Sequence, residues 1–285
     1  MPGPGVADLA ALGFYRSRLD ANGQVRPWDV DDLAASARSG DPYAGRVSAG
    51  ERPKLSFQLE VPQQPAIWVG ANPEEVAAWS TSLEQSLRLW GLAPGDTLAL
   101  FDYGSSPLVF LSSSAYLPYL GQGAAQRLGA TTVCGDGTAS GADRMAETVQ
   151  MLDPAAIVIR SDLVGAFAAA LQRRGTTLRC RWVALCCPDG APRRAEAEEC
   201  ERVLRVPTRR VMRADAAFVL APECPACEQF HLDADLYRIE TVRGAVTVTT
   251  LFARRCPAHR YRLGAAGAGA RSCPAAPSSW CLRWD

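Results

Sequence analysis

Apolar residues recur along this chain with two different periods, one helical and one strand-like. The clearest helical stripe consists of Val76, Trp79, Leu83, Leu87 and Trp90. Asn72 is suited to cap this helix and Pro73 to occupy its first turn, where a missing N–H costs nothing. The stripe therefore predicts a helix packed on a core, and we interpret it as core packing, not as a cofactor site.

Strand-like and helix-like segments alternate through the middle of the chain. Strands are predicted at 97–104, 129–134, 155–160 and 180–186, and helices at 113–128, 142–152, 162–175 and 193–204. Strands that alternate with helices of about 10–15 residues are typical of βαβ units. The expected fold class is α/β, with a largely parallel sheet covered by helices.

Both ends of the chain depart from this alternation. Helices are predicted at 6–21 and 29–38, followed by an irregular stretch at 39–66. Strands at 234–242 and 244–252 indicate a β-rich lobe. The tail after it, residues 264–285, shows no periodicity. We therefore divide the chain into three parts: an N-terminal helical and irregular segment packed on the core (1–66), an α/β core (67–205), and a β-rich lobe with an irregular tail (206–285).

Charge and composition narrow the function classes. The chain of 285 residues carries 30 basic and 30 acidic residues, so neither a nucleic-acid footprint nor a polybasic membrane patch is expected. No apolar run approaches the roughly 20 residues that cross a bilayer, and the start does not resemble a signal peptide. These features predict a cytoplasmic protein without a disulfide framework, despite its ten cysteines. Lys54 is the only lysine, so a catalytic lysine has one candidate.

Two glycine-rich stretches invite a phosphate-binding interpretation. In "GQGAAQRLG" (121–129) the third glycine of the dinucleotide fingerprint is Gln126, so a helix end is expected instead. "VCGDGTASG" (133–141) follows a strand and precedes a helix, but Asp136 at its centre would repel an anion. The chain has two histidines and no G-x-S-x-G elbow, so a Cys–His nucleophile pair stays open as an alternative.

The strongest chemical pattern is "ECPACEQFHLDADLY". Cys224 and Cys227 form a C-x-x-C pair, and His231 follows four residues later. Thiolate and imidazole ligands at this spacing suit tetrahedral zinc, with Cys256 and Cys273 available to complete the ligand set. The alternative interpretation is a reduced cysteine pair without a metal.

The order of several stretches resembles the adenylate-forming enzymes of the phenylacetate–CoA ligase type. The stretches, spread over about residues 8–275, are "FYRSRLDANG" with "DVDDLA", "GLAPGD" with a strand ending in "YG", "AAQRLGATTV", "ECPACEQFHLDADLYRIE" and "VTVTTLFARRCPAHRYRLG". The resemblance implies an AMP-binding large domain that adenylates an aromatic acid with ATP and Mg²⁺ before transfer to coenzyme A.

The resemblance also implies site residues. It places an acyl pocket at Tyr103, Gly104, Ser105, Tyr116 and Tyr119. It further implies a structural zinc held by Cys224, His231 and Cys273. Ala275 replaces the second cysteine of the family's C-P-C, so the fourth ligand would be Cys227, Cys256 or Cys281.

This sequence departs from the family at the positions that bind ATP. The Ser/Thr/Gly-rich phosphate loop is "QLEVPQQP", with Gln64 in place of lysine and Glu60 set against phosphate. The Y-G-x-x-E element is "RRVMRADAAF", with Asp215 as a poor substitute, and the ribose-binding aspartate is Ala265. The family's small C-terminal lid domain, with its lysine, is not found in the sequence, so ATP is not expected as a cofactor.

Three hypotheses follow. The first is a degenerate, ATP-independent relative in natural-product metabolism that binds an aromatic acid, thioester or polyketide-like molecule. The second is an active aryl-acid ligase with an atypical nucleotide site. The third is a non-catalytic partner of a full-length ligase or another biosynthetic enzyme.

Overall fold

The structure is a computed structural model that describes residues 6–37, 40–59, 66–103, 106–113, 122–265, 267–269, 273–276 and 278–284. The helices of the described residues are α1 (Val6–Ala11), α2 (Gly13–Arg16), α3 (Val30–Ser36), α4 (Pro73–Leu89), α5 (Pro107–Ser112), α6 (Ala124–Arg127), α7 (Ala142–Leu152), α8 (Val164–Arg174) and α9 (Arg194–Leu204). None of them is long and apolar enough to cross a membrane.

The strands of the described residues form one large sheet and three small ones. In chain order they are β1 (Leu55–Gln58), β2 (Trp68–Ala71), β3 (Thr97–Asp102), β4 (Thr131–Asp136), β5 (Ala156–Arg160), β6 (Trp182–Cys186), β7 (Asp189–Gly190), β8 (Thr208–Ala214), β9 (Val219–Pro222), β10 (Phe230–Asp233), β11 (Tyr237–Val242), β12 (Ala245–Thr250), β13 (Tyr261–Arg262), β14 (Gly267–Gly269) and β15 (Ser279–Arg283).

The large sheet confirms the predicted α/β class. Its order is β4-β3-β5-β6-β8, all parallel, and β7 and β9 add to β8 in the antiparallel sense. Alternate residues of β5 face opposite layers: Ala156 and Val158 belong to the core under α4, whereas Ile157 and Ile159 pack with α7 and α8. Burial on both faces explains the continuous apolar runs of these strands.

Helix α4 forms where its pattern predicts. The Glu75 carboxylate accepts a hydrogen bond from the Asn72 N–H at 2.6 Å, and Pro73 is the first helical residue. The Trp79 side chain is fully buried, with its ring centroid 5.8 Å from that of Phe57 and 5.1 Å from that of Phe218. The apolar stripe is therefore core packing, as predicted.

The single helix predicted over 6–21 is wrong. It is interrupted at Leu12, whose backbone is extended, and the Phe14 N–H donates to the carbonyl of Gly45 at 3.0 Å. Phe14 also packs edge-on against Trp28, with centroids 4.8 Å apart. Tertiary contacts thus override helical periodicity here. The stretch predicted to be irregular contains β1, which pairs antiparallel with β2.

Two other predicted boundaries are also wrong. Within the predicted helix 113–128, Ser113 is the extended residue after α5, and only α6 is helical among the residues that the structure describes there. The tail, predicted to lack regular structure, contributes β14 and β15, and β15 pairs with β10. By contrast, the predicted hairpin of β11 and β12 forms, with Arg243 and Gly244 at positive φ in its turn.

Candidate functional site

The cysteine and histidine pattern comes together at the junction of β9, β10 and the tail. Cys224 follows β9, Cys227 lies in the turn that leads to β10, and His231 lies in β10. Cys273 joins them from the tail, where its backbone forms an isolated antiparallel β-bridge with Ala276. The four ligand atoms lie within 4.8 Å of one another. The structure therefore places Cys227, and not Cys256, beside the other three.

The spacing of the ligand atoms fits a tetrahedral zinc ion. The Sγ atoms of Cys224 and Cys273 are 3.7 Å apart, close to the roughly 3.8 Å between two thiolates that sit about 2.3 Å from tetrahedral zinc. The Sγ atom of Cys227 lies 3.2 Å from Nε2 of His231. The Ala226 N–H lies 3.4 Å from the Cys224 Sγ, as is common for a metal-bound thiolate. The donor set and its geometry thus fit zinc.

Local electrostatics also suit a metal ligand set. Burial lowers the pKa of His231, which favours the neutral imidazole that a metal requires. Burial also works against ionisation of Cys273, but hydrogen bonds from the Ala275 backbone and from the neighbouring thiols lower its pKa. Burial raises the pKa of Cys227. A divalent cation would complete ionisation of these thiols.

The two remaining candidate ligands lie outside this group of four. Cys281 is buried in β15 opposite His231, in the same apolar cluster as Cys224 and Cys273. Cys256 is fully buried elsewhere, where burial raises its pKa and the Arg46 charge opposes that rise. Among the described residues, all ten cysteines are free thiols.

A second polar constellation lies at the carboxyl edge of the large sheet. In the sheet, β3 lies between β4 and β5, the two strands that follow it in the chain. The strand order therefore reverses at β3. Open α/β sheets bind ligands outside the carboxyl ends of strands at such a reversal. The last residue of β3 is Asp102, and the last residue of β6 is Cys186.

A buried ion-pair network occupies this edge. The Arg213 guanidinium, at the end of β8, donates from Nη1 to Asp102 at 2.6 Å and from Nη2 to Asp215 at 2.6 Å. In addition, Nε donates to Asp215 at 3.3 Å, Nη2 donates to Ser106 at 3.3 Å, and Nη1 donates to the Cys186 Sγ at 3.9 Å. A guanidinium has five N–H groups, and here all five have partners within the protein.

Arg213 stays charged in this setting. Its side chain is fully buried, and Asp102 and Asp215 are 1% and 4% exposed. Burial opposes the charge, but the two carboxylates outweigh that effect and raise the pKa of Arg213 above its usual value. The network is thus one cation between two carboxylates, closed to solvent.

Of the predicted pocket residues, Tyr103 lies beside this network. Its hydroxyl donates to Asp215 at 3.3 Å, and its ring lies 5.8 Å from the Arg213 guanidinium carbon. Gly104, Ser105, Tyr116 and Tyr119 fall outside the described residues, as do Glu60, Gln64 and Pro65 of the "QLEVPQQP" stretch. Sequence reasoning missed Asp102 and Arg213; β8 contains three arginines, so the pattern does not single out Arg213, whereas Asp102 ends the largely apolar strand β3.

The glycine loop after β4 has a packing role. A Cβ atom on Gly137 would lie 2.1 Å from the backbone carbonyl carbon of Asp102, so only glycine fits between β4 and β3 here. Asp136 forms an ion pair with Arg144 of α7. The glycine supports the position of Asp102, and the acidic residue has a partner within the protein.

Substituting Gly137 tests whether the close approach of its backbone to Asp102 stabilises the fold. Gly137→Ala is expected to cost about 3 kcal/mol of unfolding free energy, because its methyl group would overlap the Asp102 backbone. Gly165→Ala is the matched control: no atom lies within 4 Å of its Cβ position in α8, and a gain of about 0.5 kcal/mol is expected. Urea unfolding of both variants measures the contrast; equal effects would show that the packing is not tight.

The "RYRLGA" stretch lies beside Trp284, the residue after β15. The Trp284 ring lies 2.9 Å from the position that a Cβ atom on Gly264 would occupy, and 3.4 Å from the equivalent position on Gly190. Ala265, where the family resemblance expects a ribose-binding aspartate, follows directly and is half-buried.

Comparison with solved structures defines the class of this fold: the chain has the fold of adenylate-forming CoA ligases. A structure of 2-hydroxyisobutyryl-CoA ligase, in an open conformation with 2-HIB-AMP and CoA, superposes with a TM-score of 0.75 at 14% identity. That match covers 97% of this chain and 65% of the ligase. This chain therefore spans about two thirds of the ligase's length.

Two further structures of the same fold match less closely. The anthranilate CoA ligase AuaEII, in complex with anthranoyl-AMP, has a TM-score of 0.52 at 13% identity and covers 72% of this chain and 41% of its own. MbtA from Mycobacterium smegmatis has a TM-score of 0.51 at 13% identity, and the match covers 86% of this chain and 47% of MbtA. The sequence itself matches no family model and no curated protein.

Proposed function

We propose that this protein uses the adenylate-forming fold without ATP-dependent adenylation and binds an aromatic acid, thioester or polyketide-like molecule in natural-product metabolism. The observation that carries the proposal is the Asp102–Arg213–Asp215 network at the carboxyl edge of the sheet. Adenylation requires cationic groups and Mg²⁺ to stabilise charge on the phosphates. Here the buried cation has no free donor, and two carboxylates accompany it.

The sequence supports the same proposal away from this edge. Ala265 cannot bind ribose hydroxyls as an aspartate would, and the only lysine, Lys54, is exposed just before β1. In addition, the Trp284 ring lies beside Gly264 and leaves no room for a larger residue there. The alanine at position 265 removes a carboxylate that could bind ribose and leaves the sheet and its core intact.

The ligand class rests on Tyr103 and on similarity to known ligases. Tyr103 follows β3 and lines the same edge as the ion-pair network, where an aromatic ring can stack on a planar ligand. AuaEII, which shares the fold, was solved with an anthranoyl group, an aromatic acyl group. An aromatic acid or its thioester is therefore the proposed ligand class.

We further propose that Cys224, Cys227, His231 and Cys273 hold a structural zinc ion. When bound, zinc would join the turn after β9, strand β10 and the segment around Cys273. Zinc with four protein ligands has no open coordination position, so its contribution is to stability.

Magnesium-dependent exchange of pyrophosphate into ATP tests the central proposal, because exchange requires a working adenylation step. We expect none with aryl acids. The alternative function is an active ligase, which the acyl-AMP complexes of the similar structures favour. Acid-dependent exchange would establish that alternative.

A further inference from the structure

A cleft of about 490 Å³ separates helix α4 from strand β10 and the tail. We call it the α4–β10 cleft. Its helix wall carries Ser82, Gln85, Ser86 and Leu89, which lie at helical spacing on one face, with Arg88 beside them. Its strand wall carries His231 and Asp233, two residues apart and therefore on the same face. Ser278 and Ser279 of the tail complete it.

The helix wall holds a positive charge that its neighbours do not balance. Arg88 pairs with Glu84 at 2.7 Å, but the second oxygen of the same carboxylate pairs with Arg127 at 2.6 Å. One carboxylate thus serves two guanidinium groups. The Arg88 side chain is 68% exposed at the rim of the cleft, so it is free to turn towards an anionic group.

The strand wall holds the opposite charge. Asp233 is half-buried, and its carboxylate accepts a hydrogen bond from the backbone N–H of Asp235 at 2.8 Å. No arginine, lysine or histidine of the described residues lies within ion-pair distance of it. A carboxylate in this position can accept an ammonium group.

His231 adds an unsatisfied polar atom to the same wall. Its Nε2 faces Cys227, and its Nδ1 is buried without a hydrogen-bond partner among the described residues. The second ring nitrogen of a metal-binding histidine normally has a partner, which can be water or a ligand when the protein supplies none.

From these contacts we propose that the α4–β10 cleft binds a small amino acid as a zwitterion. Its carboxylate would pair with Arg88 and its ammonium group with Asp233. Leu89, Pro222, Ala275 and Ala276 offer an apolar surface for a side chain. The volume lies within the usual range for small-molecule sites. The inference does not depend on the proposed function, since it uses none of the groups at the carboxyl edge.

Isothermal titration calorimetry on the full chain as purified tests this site. The panel comprises the L-amino acids, β-alanine and 4-aminobutyrate, which vary the distance between the charges. At least one member is expected to bind with a stoichiometry near one. Its N-acetyl derivative and its amide, which each lack one charge, are expected to bind about tenfold more weakly or worse.

Matched substitutions locate the contacts. Arg88→Gln and Asp233→Asn are each expected to weaken binding about tenfold, and Asp233→Asn should abolish the preference for the free amine over its N-acetyl derivative. The controls are Arg202→Gln, an exposed helical arginine paired with Glu199, and Asp235→Asn, which lies outside the cleft; both should bind as the parent does.

Three outcomes would overturn the proposal. They are the absence of binding by every member of the panel at about 10 mM, equal affinity for an amino acid and its N-acetyl derivative, or undiminished binding by folded Arg88→Gln and Asp233→Asn proteins. Melting curves establish folding. The derivatives decide the question on the unaltered chain if a variant does not fold.

Discussion

Replacing Cys224 with serine is expected to abolish stoichiometric zinc binding and to lower the free energy of unfolding by roughly 5 kcal/mol. The reason is that three chain segments meet at the cysteine and histidine cluster, and the cluster itself offers little apolar surface besides Cys281. Without the metal, the turn after β9 and the segment around Cys273 lose their common anchor, whereas β15 stays paired with β10. For a chain of this size the loss corresponds to a fall in melting temperature of about 10 °C.

A buried cysteine outside the cluster supplies the control for this experiment. Cys256→Ser removes a fully buried thiol beside Arg46 and should leave the zinc content unchanged. Cys227→Ser should behave like Cys224→Ser, because the structure places Cys227 in the ligand group. Metal analysis and thermal melting of the three variants decide the question. A parent protein purified with far less than one zinc per chain would contradict the proposed metal site.

Replacing Arg213 with methionine is expected to destabilise the protein by about 3–5 kcal/mol. Methionine keeps much of the volume but leaves Asp102 and Asp215 buried without a cation. Changing both carboxylates to asparagine in the same protein should restore most of the loss, because no buried charge then remains unpaired. Arg202→Met, in an exposed pair with Glu199, is the control and should have no measurable effect.

The effect of Arg213→Met should depend on pH with a definite sign. Burial already raises the pKa of Asp215, with Arg213 opposing the rise, so removing the cation should raise it further. A carboxyl group with a raised folded-state pKa destabilises the protein when it is ionised, and protonation relieves this cost. The deficit relative to the parent should therefore shrink as the pH falls from about 7 to 4. A constant small deficit below about 1 kcal/mol would contradict the ion-pair account.

The parts of the fold that the sequence predicts are those set by local rules. Helix α4 has a cap, a proline at its first position and a long apolar stripe, and all three act within the helix itself. Strands β5 and β6 are continuous apolar runs because both sheet faces are covered. The interruption after α1 is different, since it depends on a hydrogen bond from Phe14 to Gly45 far along the chain.

The residues of the candidate sites were likewise predictable from the sequence only where they lie close together in the chain. The ligands Cys224, Cys227 and His231 are close in sequence, so their spacing alone points to a metal. Arg213 and Asp102 are 111 positions apart, and only the sheet order brings the end of β8 over the end of β3. Arg88 and Asp233 likewise face the same α4–β10 cleft only because α4 packs against β9, which precedes β10 in the chain.

Exchange of labelled pyrophosphate into ATP, with Mg²⁺ and a panel of aryl acids, tests the central claim most directly. It reports the adenylation step alone and needs no knowledge of the final acceptor. A CoA ligase of the same fold, run in parallel, establishes that the assay detects adenylation. We expect no exchange above the level of a reaction without protein. Exchange that requires both Mg²⁺ and one particular acid, and that remains after further purification, would contradict the claim and identify the protein as an active ligase.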